Sequence, residues 1–286
     1  MTASMLPPAL PAAAALFVDF DGTLVPIAPR PQDVRVPAWV VPALTRLQRR
    51  HDGALAVVSG RPIAQLDAFL QPLVLAAAGA HGAERRNADG VIEAQRAEPP
   101  QSVVACARRL AEGHAGLLLE PKPSGLSLHY RARPELETLC RDALVDALAA
   151  VPESSAHWQW LHGHCVFELK QRAVSKGIAV QQFMAQPPFA GRLPVFVGDD
   201  VTDEDGVRAV QGAGGFGVRV GPGDSDARYR IADVDAVARW LLTAASMPAA
   251  GDAGSAGEAW APPMSRAAAN GPDGARAEVR STEQGP

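Results

Sequence analysis

The feature that most constrains the fold of this chain is an apolar segment that runs directly into two acids. Residues 16–18 read LFV and residues 19–23 read DFDGT. A short apolar run that ends at an Asp-Gly pair is typical of a buried strand followed by a tight turn. Carboxylates at the end of a buried strand are electrostatically costly unless a cation lies between them. The segment therefore indicates a strand end that holds a metal ion and a phosphate group.

The spacing of the two acids suggests a division of roles. Side chains on a strand alternate between its faces, so Asp19 and Asp21 are predicted to lie on the same side. One carboxylate would attack phosphorus, and the other would protonate the leaving oxygen and then deprotonate water. Gly22 permits a tight turn, and the Thr23 hydroxyl is a donor for a phosphate oxygen. Taken alone, the segment also fits an ordinary turn rich in Asp and Gly.

Three later segments supply further parts that phosphoryl transfer requires. Residues 57–61 (VVSGR) end a second apolar strand with the Ser59 hydroxyl and the Arg61 cation. Lys176 opens a helical stretch, and residues 195–204 (VFVGDDVTDE) form another strand that ends in acids. Each segment alone fits a turn or a helix cap. Their order along the chain favours phosphate chemistry.

These four motifs resemble those of the haloacid dehalogenase (HAD) superfamily of phosphatases. The resemblance implies a doubly wound α/β core with its site at the carboxyl ends of parallel strands. It also implies that Asp19 is the nucleophile and Asp21 the general acid and base. Ser59 and Lys176 would hold the phosphoryl group.

The same resemblance implies a Mg²⁺ cofactor. The ion would bind the Asp19 carboxylate, the Asp21 main-chain carbonyl and the Asp199 carboxylate. Mg²⁺ prefers oxygen ligands of this kind and keeps several waters. Asp200 and Asp203 are further candidates, as metal ligands or as supports for the ligands.

Hydrophobic periodicity predicts where the core lies. Apolar strand candidates alternate with helical patterns in the βαβ rhythm of a parallel sheet. The strand candidates are residues 16–21, 54–59, 73–78 and 194–198, and the helical patterns are residues 42–50 and 63–70.

Between the Ser59 and Lys176 motifs the pattern changes to helix, two strands, helix, two strands. This αββαββ insertion predicts a separate α+β cap over the site, as expected when an enzyme must recognise one leaving group and exclude water. The predicted helices are residues 102–114 and 134–150, and the predicted strands are residues 117–120, 126–130, 157–161 and 165–169.

The sequence therefore predicts four regions. Residues 15–98 and 170–245 form the catalytic core, and residues 99–169 form the substrate-specificity cap. Residues 1–14 are predicted to be a flexible leader. Residues 246–286 are predicted to be a disordered tail, because no Leu, Ile or Phe follows Met247.

The cap narrows the resemblance to the trehalose-6-phosphate phosphatases, over residues 14 to 245. The matching segments are residues 79–84 (GAHGAE), 120–122 (EPK), 129–131 (HYR), 168–169 (EL) and 174–177 (VSKG). By this likeness Glu120, Lys122 and Glu168 would bind the sugar hydroxyls. Arg61, His81 and Gly82 would lie near the sugar phosphate. Two positions depart from the family pattern, His164 in place of a basic residue and Gln171 in place of Pro.

Lysine usage gives an independent clue. The chain has 27 basic residues, of which only Lys122, Lys170 and Lys176 are lysines. A compact ammonium and a forked guanidinium differ in geometry, so a chain this rich in Arg should keep Lys where Arg will not serve. All three lysines fall in segments that other arguments assign to the site.

Composition excludes several classes of protein. The formal net charge of −4 gives no basic field for nucleic acid. The three cysteines, Cys106, Cys140 and Cys165, have no CxxC spacing and predict neither a disulfide framework nor a zinc site. No apolar stretch reaches the roughly 20 residues of a membrane helix. We therefore expect a cytoplasmic protein that binds neither nucleic acid nor a membrane.

The resemblance implies one reaction and leaves two alternatives. It implies Mg²⁺-dependent hydrolysis of trehalose 6-phosphate to trehalose and phosphate through an aspartyl-phosphate, with a functional link to a trehalose-phosphate synthase. The alternatives are a phosphatase of another sugar phosphate and a sugar-phosphate sensor without turnover. The presence of Asp19, Asp21 and Lys176 favours an enzyme over a sensor.

Overall fold

The computed structural model describes residues 5–28, 30–94, 98–122, 125–163 and 165–247. His164 and the predicted tail from residue 248 lie outside the described residues, as do residues 1–4 of the predicted leader. In chain order the elements are β1 (Ala14–Val18), α1 (Val40–Arg50), β2 (Leu55–Val58), α2 (Ile63–Leu70), β3 (Ala76–Gly79), β4 (Glu84–Arg86), β5 (Ile92–Ala94), α3 (Gln101–Gly113), β6 (Leu118–Lys122), β7 (Gly125–His129), α4 (Glu137–Ala149), α5 (Pro152–Ser155), β8 (Trp158–Gly163), β9 (Val166–Gln171), α6 (Lys176–Met184), β10 (Leu193–Gly198), α7 (Asp203–Gly212), β11 (Phe216–Val220), β12 (Tyr229–Ile231) and α8 (Val234–Ser246).

The larger sheet is doubly wound. Its eight strands lie in the order β12-β11-β10-β1-β2-β3-β4-β5, and the pairs from β12 to β3 are parallel. The chain builds outward from β1 in one direction and later returns to build outward from β10 in the other. The strand order thus reverses between β1 and β10, which is where open α/β sheets bind ligands. β4 and β5 add an antiparallel edge.

The central strands are apolar throughout because helices cover both faces of the sheet. On one face Leu16 and Val18 pack with residues of α1, α2 and α8. On the other face Phe17 packs with Phe183 of α6 and with residues of α7. Alternate residues of β1 therefore serve opposite layers of the core.

The smaller sheet belongs to the insertion. Its antiparallel strands lie in the order β6-β7-β9-β8. Leu126, Leu128 and Leu169 project from one face and pack against α3 and α4 around the buried Cys140. The sheet's other face carries the polar residues of β6, β7 and β9. The fold class predicted from the sequence, a doubly wound core with an inserted αββαββ cap, is confirmed, while the exact domain boundaries stay a prediction.

Several details differ from the sequence predictions, among them the start of β3 at Ala76 rather than at residue 73. β1 ends at Val18 rather than at residue 21, because Gly22 turns the chain at φ +74°. Helix α4 begins at Glu137 rather than at residue 134, after a 3-10 turn. The β4–β5 edge was not predicted.

The described part of the predicted leader, from Met5 on, contacts the core. Leu10 is buried, and its carbonyl accepts a hydrogen bond from the Arg50 guanidinium. The Trp240 indole donates to the Pro8 carbonyl, and Met5 bridges to Tyr229. These contacts fasten the described part of this segment to the core. Among the described residues, no helix combines the length and the apolar character needed to cross a bilayer.

Candidate active site

A cavity of about 500 Å³ opens where the sheet reverses its strand order. Its polar lining comes from the loops that follow β1, β2, β3 and β10, and from the first residue of α6. The core residues that line it are Asp19, Asp21, Ile27, Ala28, Val34, Ser59, Gly60, Arg61, Pro62, Gln65, His81, Lys176, Asp199, Asp200 and Thr202.

Lys176 is buried between two acids at the floor of this cavity. Its Nζ lies 2.8 Å from Asp19 Oδ1 and 2.6 Å from Asp203 Oδ1. All three side chains are at most 5% exposed. The position of Lys176 follows from the start of α6, where the Ser175 hydroxyl caps the helix by accepting from the Ile178 amide. The candidate nucleophile and the lysine predicted to bind phosphate are thus in direct contact.

Burial controls the protonation of this group. Burial raises the pKa of Asp19 well above its usual value, although Lys176 opposes this shift. Asp203 behaves in the same way, since burial raises its pKa and Lys176 lowers it. Burial alone would lower the pKa of Lys176, but Asp19 and Asp203 raise it overall. The ammonium therefore stays charged at every physiological pH.

Asp199 completes the acidic cluster from the end of β10. Burial, followed by the charges of Asp203 and Asp200, raises the pKa of Asp199 to about 6. The Thr23 hydroxyl donates to Asp199 Oδ1 at 3.4 Å. The contact of Thr23 with phosphate stays a prediction.

Gly22 makes the approach of Asp199 possible. A Cβ at this position would lie 2.1 Å from Asp199 Oδ2, and the backbone has φ +74°. A side chain is therefore excluded both by collision and by conformation. Gly22 is therefore needed because Asp199, 177 positions later in the sequence, packs against it.

The acidic cluster fits a hard divalent cation. Ligand oxygens of Asp19, Asp199 and Asp203 all lie within 4.8 Å of one another. Together with Lys176 these carboxylates carry a formal charge of −2 when ionised, which one Mg²⁺ would balance. Asp203 is already bonded at both oxygens, by Lys176 and by the Asp200 amide at 2.8 Å. This favours Asp19 and Asp199 as the ligands and Asp203 as a support for Lys176.

Arg61 holds the second acid of the first motif. Its guanidinium donates to both oxygens of Asp21, at 2.6 and 2.7 Å. The Arg61 amide donates to Ser59 Oγ at 3.2 Å, which ties the serine of the second motif to the same turn. Arg61 is also stacked over Phe69, 5.0 Å from the ring centroid. The arginine predicted to lie near the sugar phosphate thus orients Asp21 at the cavity.

His81 reaches the cavity on a loop of unusual backbone conformation. Its φ is +59°, and a Cβ on Gly60 would lie 2.7 Å from its ring. Burial, followed by the charges of Lys176 and Lys170, lowers the pKa of His81 to about 4, so its ring is neutral near pH 7. Gly82 lies against Ser175, whose carbonyl oxygen would be 2.8 Å from an added Cβ. Gly82 therefore lets the loop pack against the start of α6.

The sugar-binding candidates of the cap form their own cluster outside the lining of the core cavity. Lys122 Nζ lies 2.6 Å from Glu120 Oε1, and His129 Nε2 lies 2.9 Å from Glu120 Oε2. Hydrogen bonds from Lys122 and His129 lower the pKa of Glu120. Glu168 shares a row of the sheet with Glu120, because both are in register with Ser127 of β7.

Sequence reasoning missed the apolar side of the cavity. Ile27, Ala28 and Val34 line it from the loop that follows the first motif. Ile27 is 72% exposed. An apolar, proline-rich stretch directly after the acids was the signal for this wall. The acids of the cavity could be predicted from the sequence, but the apolar lining formed by Ile27, Ala28 and Val34 was not.

Comparisons with known proteins agree with this geometry. The trehalose-phosphatase family model matches residues 17–235. The trehalose-6-phosphate phosphatase of Escherichia coli K12 is 40% identical over 237 residues, which cover 82% of this chain and 87% of the relative. A bifunctional trehalose-6-phosphate synthase/phosphatase of Thermoproteus tenax is 31% identical over 76% of this chain and 30% of its own length.

Solved structures give the same fold. A trehalose-6-phosphate phosphatase of Aspergillus fumigatus superposes with a TM-score of 0.66 at 25% identity. The superposition covers 83% of this chain and 98% of the fungal one. Both the core and the inserted cap therefore have counterparts in a solved structure.

Proposed function

Because this chain belongs to the trehalose-phosphatase family, we propose that it hydrolyses trehalose 6-phosphate to trehalose and phosphate with Asp19 as the nucleophile. The observation that carries this proposal is the buried contact between Asp19 and Lys176 at the floor of a cavity. Lys176 would bind the phosphoryl oxygens and hold Asp19 in line with phosphorus.

The reaction divides into two displacements at phosphorus. In the first, an Asp19 oxygen forms a bond to phosphorus while the bond to the sugar oxygen breaks, and Asp21 gives that oxygen its proton. Trehalose then leaves. In the second, Asp21 takes a proton from water, whose oxygen attacks the aspartyl-phosphate. Phosphate leaves, and the Asp19 carboxylate is restored.

Arg61 gives Asp21 the orientation that this double role needs. The bidentate contact fixes the plane of the carboxylate, which is 36% exposed at the cavity. A carboxylate that accepts at both oxygens carries no proton, so Asp21 would release Arg61 from one oxygen when it acts as the acid. A proton donor must lie within hydrogen-bond reach of the leaving oxygen before its acidity matters. Ser59 lies beside this pair and would donate its hydroxyl to a phosphoryl oxygen.

Mg²⁺ would be held by the carboxylates of Asp19 and Asp199 and by the Asp21 main-chain carbonyl. When bound, it would supply positive charge that offsets the repulsion between Asp19 and the phosphate. The raised pKa of Asp199, about 6, supports this assignment, because it reflects burial and then the charges of Asp203 and Asp200, which a bound cation would offset.

The cap would select the sugar. Glu120, Lys122 and Glu168 lie on the polar face of its sheet, where they offer both donors and acceptors to sugar hydroxyls. His81 and Gly82 would lie near the sugar phosphate. Thr23 would influence phosphate binding through its hydrogen bond to Asp199. The Thermoproteus tenax relative supports a functional link to a trehalose-phosphate synthase. The cytoplasmic location stays a prediction.

The test is phosphate release from trehalose 6-phosphate, glucose 6-phosphate and sucrose 6-phosphate, with and without Mg²⁺. We expect metal-dependent release from trehalose 6-phosphate alone. Release from another sugar phosphate would leave the core chemistry intact and overturn the substrate. Binding without release from any of them would replace the enzyme with a sensor.

A further inference from the structure

Lys170 is the one lysine of the chain that the proposed mechanism does not use. Lys176 contacts Asp19, and Lys122 contacts Glu120. In a chain that otherwise uses Arg for its basic residues, a third lysine near the site calls for a reason.

The strand register places Lys170 on the polar face of the cap sheet. Lys122, Gly125, Lys170 and Gln159 form one row across β6, β7, β9 and β8. The neighbouring row contains Glu120, Ser127 and Glu168, so these residues share a face with the first row. Two strand spacings, about 10 Å, separate the backbones of Lys122 and Lys170.

The two halves of this face differ in how their charges are satisfied. Glu120, Lys122 and His129 pair with one another on the β6 side. On the β9 side, Glu168 and Lys170 are half-buried and form no ion pair or hydrogen bond through their side chains within the described part of the chain.

The register explains why Lys170 lacks a partner. Its neighbour on β7 is Gly125, where a Cβ would lie only 1.9 Å from the Leu169 carbonyl oxygen. Its neighbour on β8 is Gln159, whose side-chain oxygen accepts from Arg172 at 3.3 Å. One neighbour has no side chain, and the other is already engaged. A half-buried ammonium is therefore left to contact a ligand.

The same residues lie at the end of the cap sheet that joins the core. β9 ends at Gln171, and Lys176 follows within five residues, so the chain spans at most about 20 Å between Lys170 and Lys176. Ser175 in turn lies against Gly82, next to His81 in the cavity. The charge of Lys170 also contributes to lowering the pKa of His81. Lys170 thus lies close enough to the cavity for its charge to act on His81.

We propose that Lys170 binds the phosphorylated end of the substrate from the cap, as a specificity-determining residue for an anionic sugar. This inference rests on the proposed function. The Lys170 ammonium adds a second cation at the phosphate, besides Lys176. Lys170 contacts only a substrate that reaches from the core to the cap. Small phosphate esters that do not occupy the cap side would gain less from it.

The test compares Lys170→Met, Lys170→Arg and Arg141→Met with the unaltered protein in steady-state hydrolysis of trehalose 6-phosphate. Arg141 is an exposed cap residue on α4, so its substitution removes the same charge away from the polar face. We expect Lys170→Met to raise KM about tenfold with kcat within about twofold, as for loss of one charge-assisted contact. Lys170→Arg should recover most of this loss, and Arg141→Met should leave KM unchanged.

Binding measurements then identify the group that Lys170 contacts. In the Asp19→Asn protein, calorimetry with trehalose 6-phosphate and with trehalose should show an effect of Lys170→Met on the phosphorylated sugar only. An unchanged KM in Lys170→Met, or an equal loss of affinity for both sugars, would overturn the proposal. If the unaltered protein hydrolyses a different sugar phosphate, the proposed substrate fails first, and the same comparison is made with that sugar and its phosphate.

Discussion

The core and the cap of this protein use charged residues in opposite ways. In the core, Lys176 contacts both Asp19 and Asp203, and all three side chains are at most 5% exposed. In the cap, Glu120 and Lys122 pair at 45% and 38% exposure. Buried charges without partners are costly, whereas exposed pairs contribute little to stability and are screened by salt. The core therefore fixes the chemistry rigidly, and the cap keeps its charges available to a substrate.

The largest difference in stability and activity is expected between substitutions of Lys176 in the core and Lys122 in the cap. Lys176→Met leaves two buried carboxylates without their cation, so it should reduce kcat more than about a thousandfold and lower the free energy of unfolding by about 3–5 kcal/mol. Lys122→Met in the cap should change the free energy of unfolding by less than about 1 kcal/mol. Urea denaturation and kcat with a small aryl phosphate measure both effects. Equal losses of stability in the two variants would refute the contrast between core and cap.

A smaller effect is expected at the turn of the first motif. Gly22→Ala places a Cβ against Asp199, so kcat should fall by about a hundredfold, as when a catalytic group is displaced by about 1 Å. Gly191→Ala is the matched control, since Gly191 has φ +75° but nothing within 4 Å of an added Cβ. The control separates backbone strain from collision. An activity loss of the same size in Gly191→Ala would show that strain alone matters.

A substitution in the cap should slow hydrolysis of trehalose 6-phosphate but not of a small aryl phosphate. Glu168→Ala is expected to lower kcat/KM for trehalose 6-phosphate about tenfold or more and to leave hydrolysis of a small aryl phosphate nearly unchanged. Glu153→Ala, on the short helix α5 of the same cap, serves as the control. Equal losses on both substrates would remove the assignment of sugar recognition to the cap.

The last prediction concerns a buried histidine and pH. His51 is fully buried in the core, with Nδ1 3.0 Å from the Ala14 carbonyl oxygen. Burial, followed by the charge of Arg50, lowers the pKa of His51 from 6.5 to about 4. The unfolded chain therefore binds more protons between these values, and stability that is complete above pH 6.5 is lost as the pH falls toward 4.

This loss amounts to about 3 kcal/mol at most, from the free energy of a pKa shift of this size. Urea denaturation between pH 7 and 4 should show a shallower pH dependence in His51→Gln than in the unaltered protein. An unchanged slope in His51→Gln would mean that other groups cause the acid sensitivity.

Local patterns predicted the elements well where burial sets the residue type. Helix α2 has the bounds that its periodicity predicted, and the three strands that end at motifs are present because buried parallel strands read as apolar runs. The family predicted from the motifs is confirmed by the match over residues 17–235. The end of β1 was misplaced because Gly22 turns the chain to admit Asp199, a contact between residues distant in sequence.

The contacts within the site depended on the fold rather than on local sequence. The sequence supplied Asp21 and Arg61 as separate candidates, but their bidentate pairing across 40 residues follows from adjacent strands. Likewise, the pairing of Glu120 with His129 depends on the register of β6 and β7. Such contacts need a strand order and a register, which residue types alone do not specify.

The most direct measurement locates the covalent phosphate. The protein is mixed with trehalose 6-phosphate labelled at phosphorus, quenched in acid within one turnover, and digested for peptide mapping. We expect the label on the peptide that contains Asp19, and no label in Asp19→Asn, which should also lose turnover. Label on a different residue, or appreciable turnover by Asp19→Asn, would contradict the assignment of Asp19 as the nucleophile.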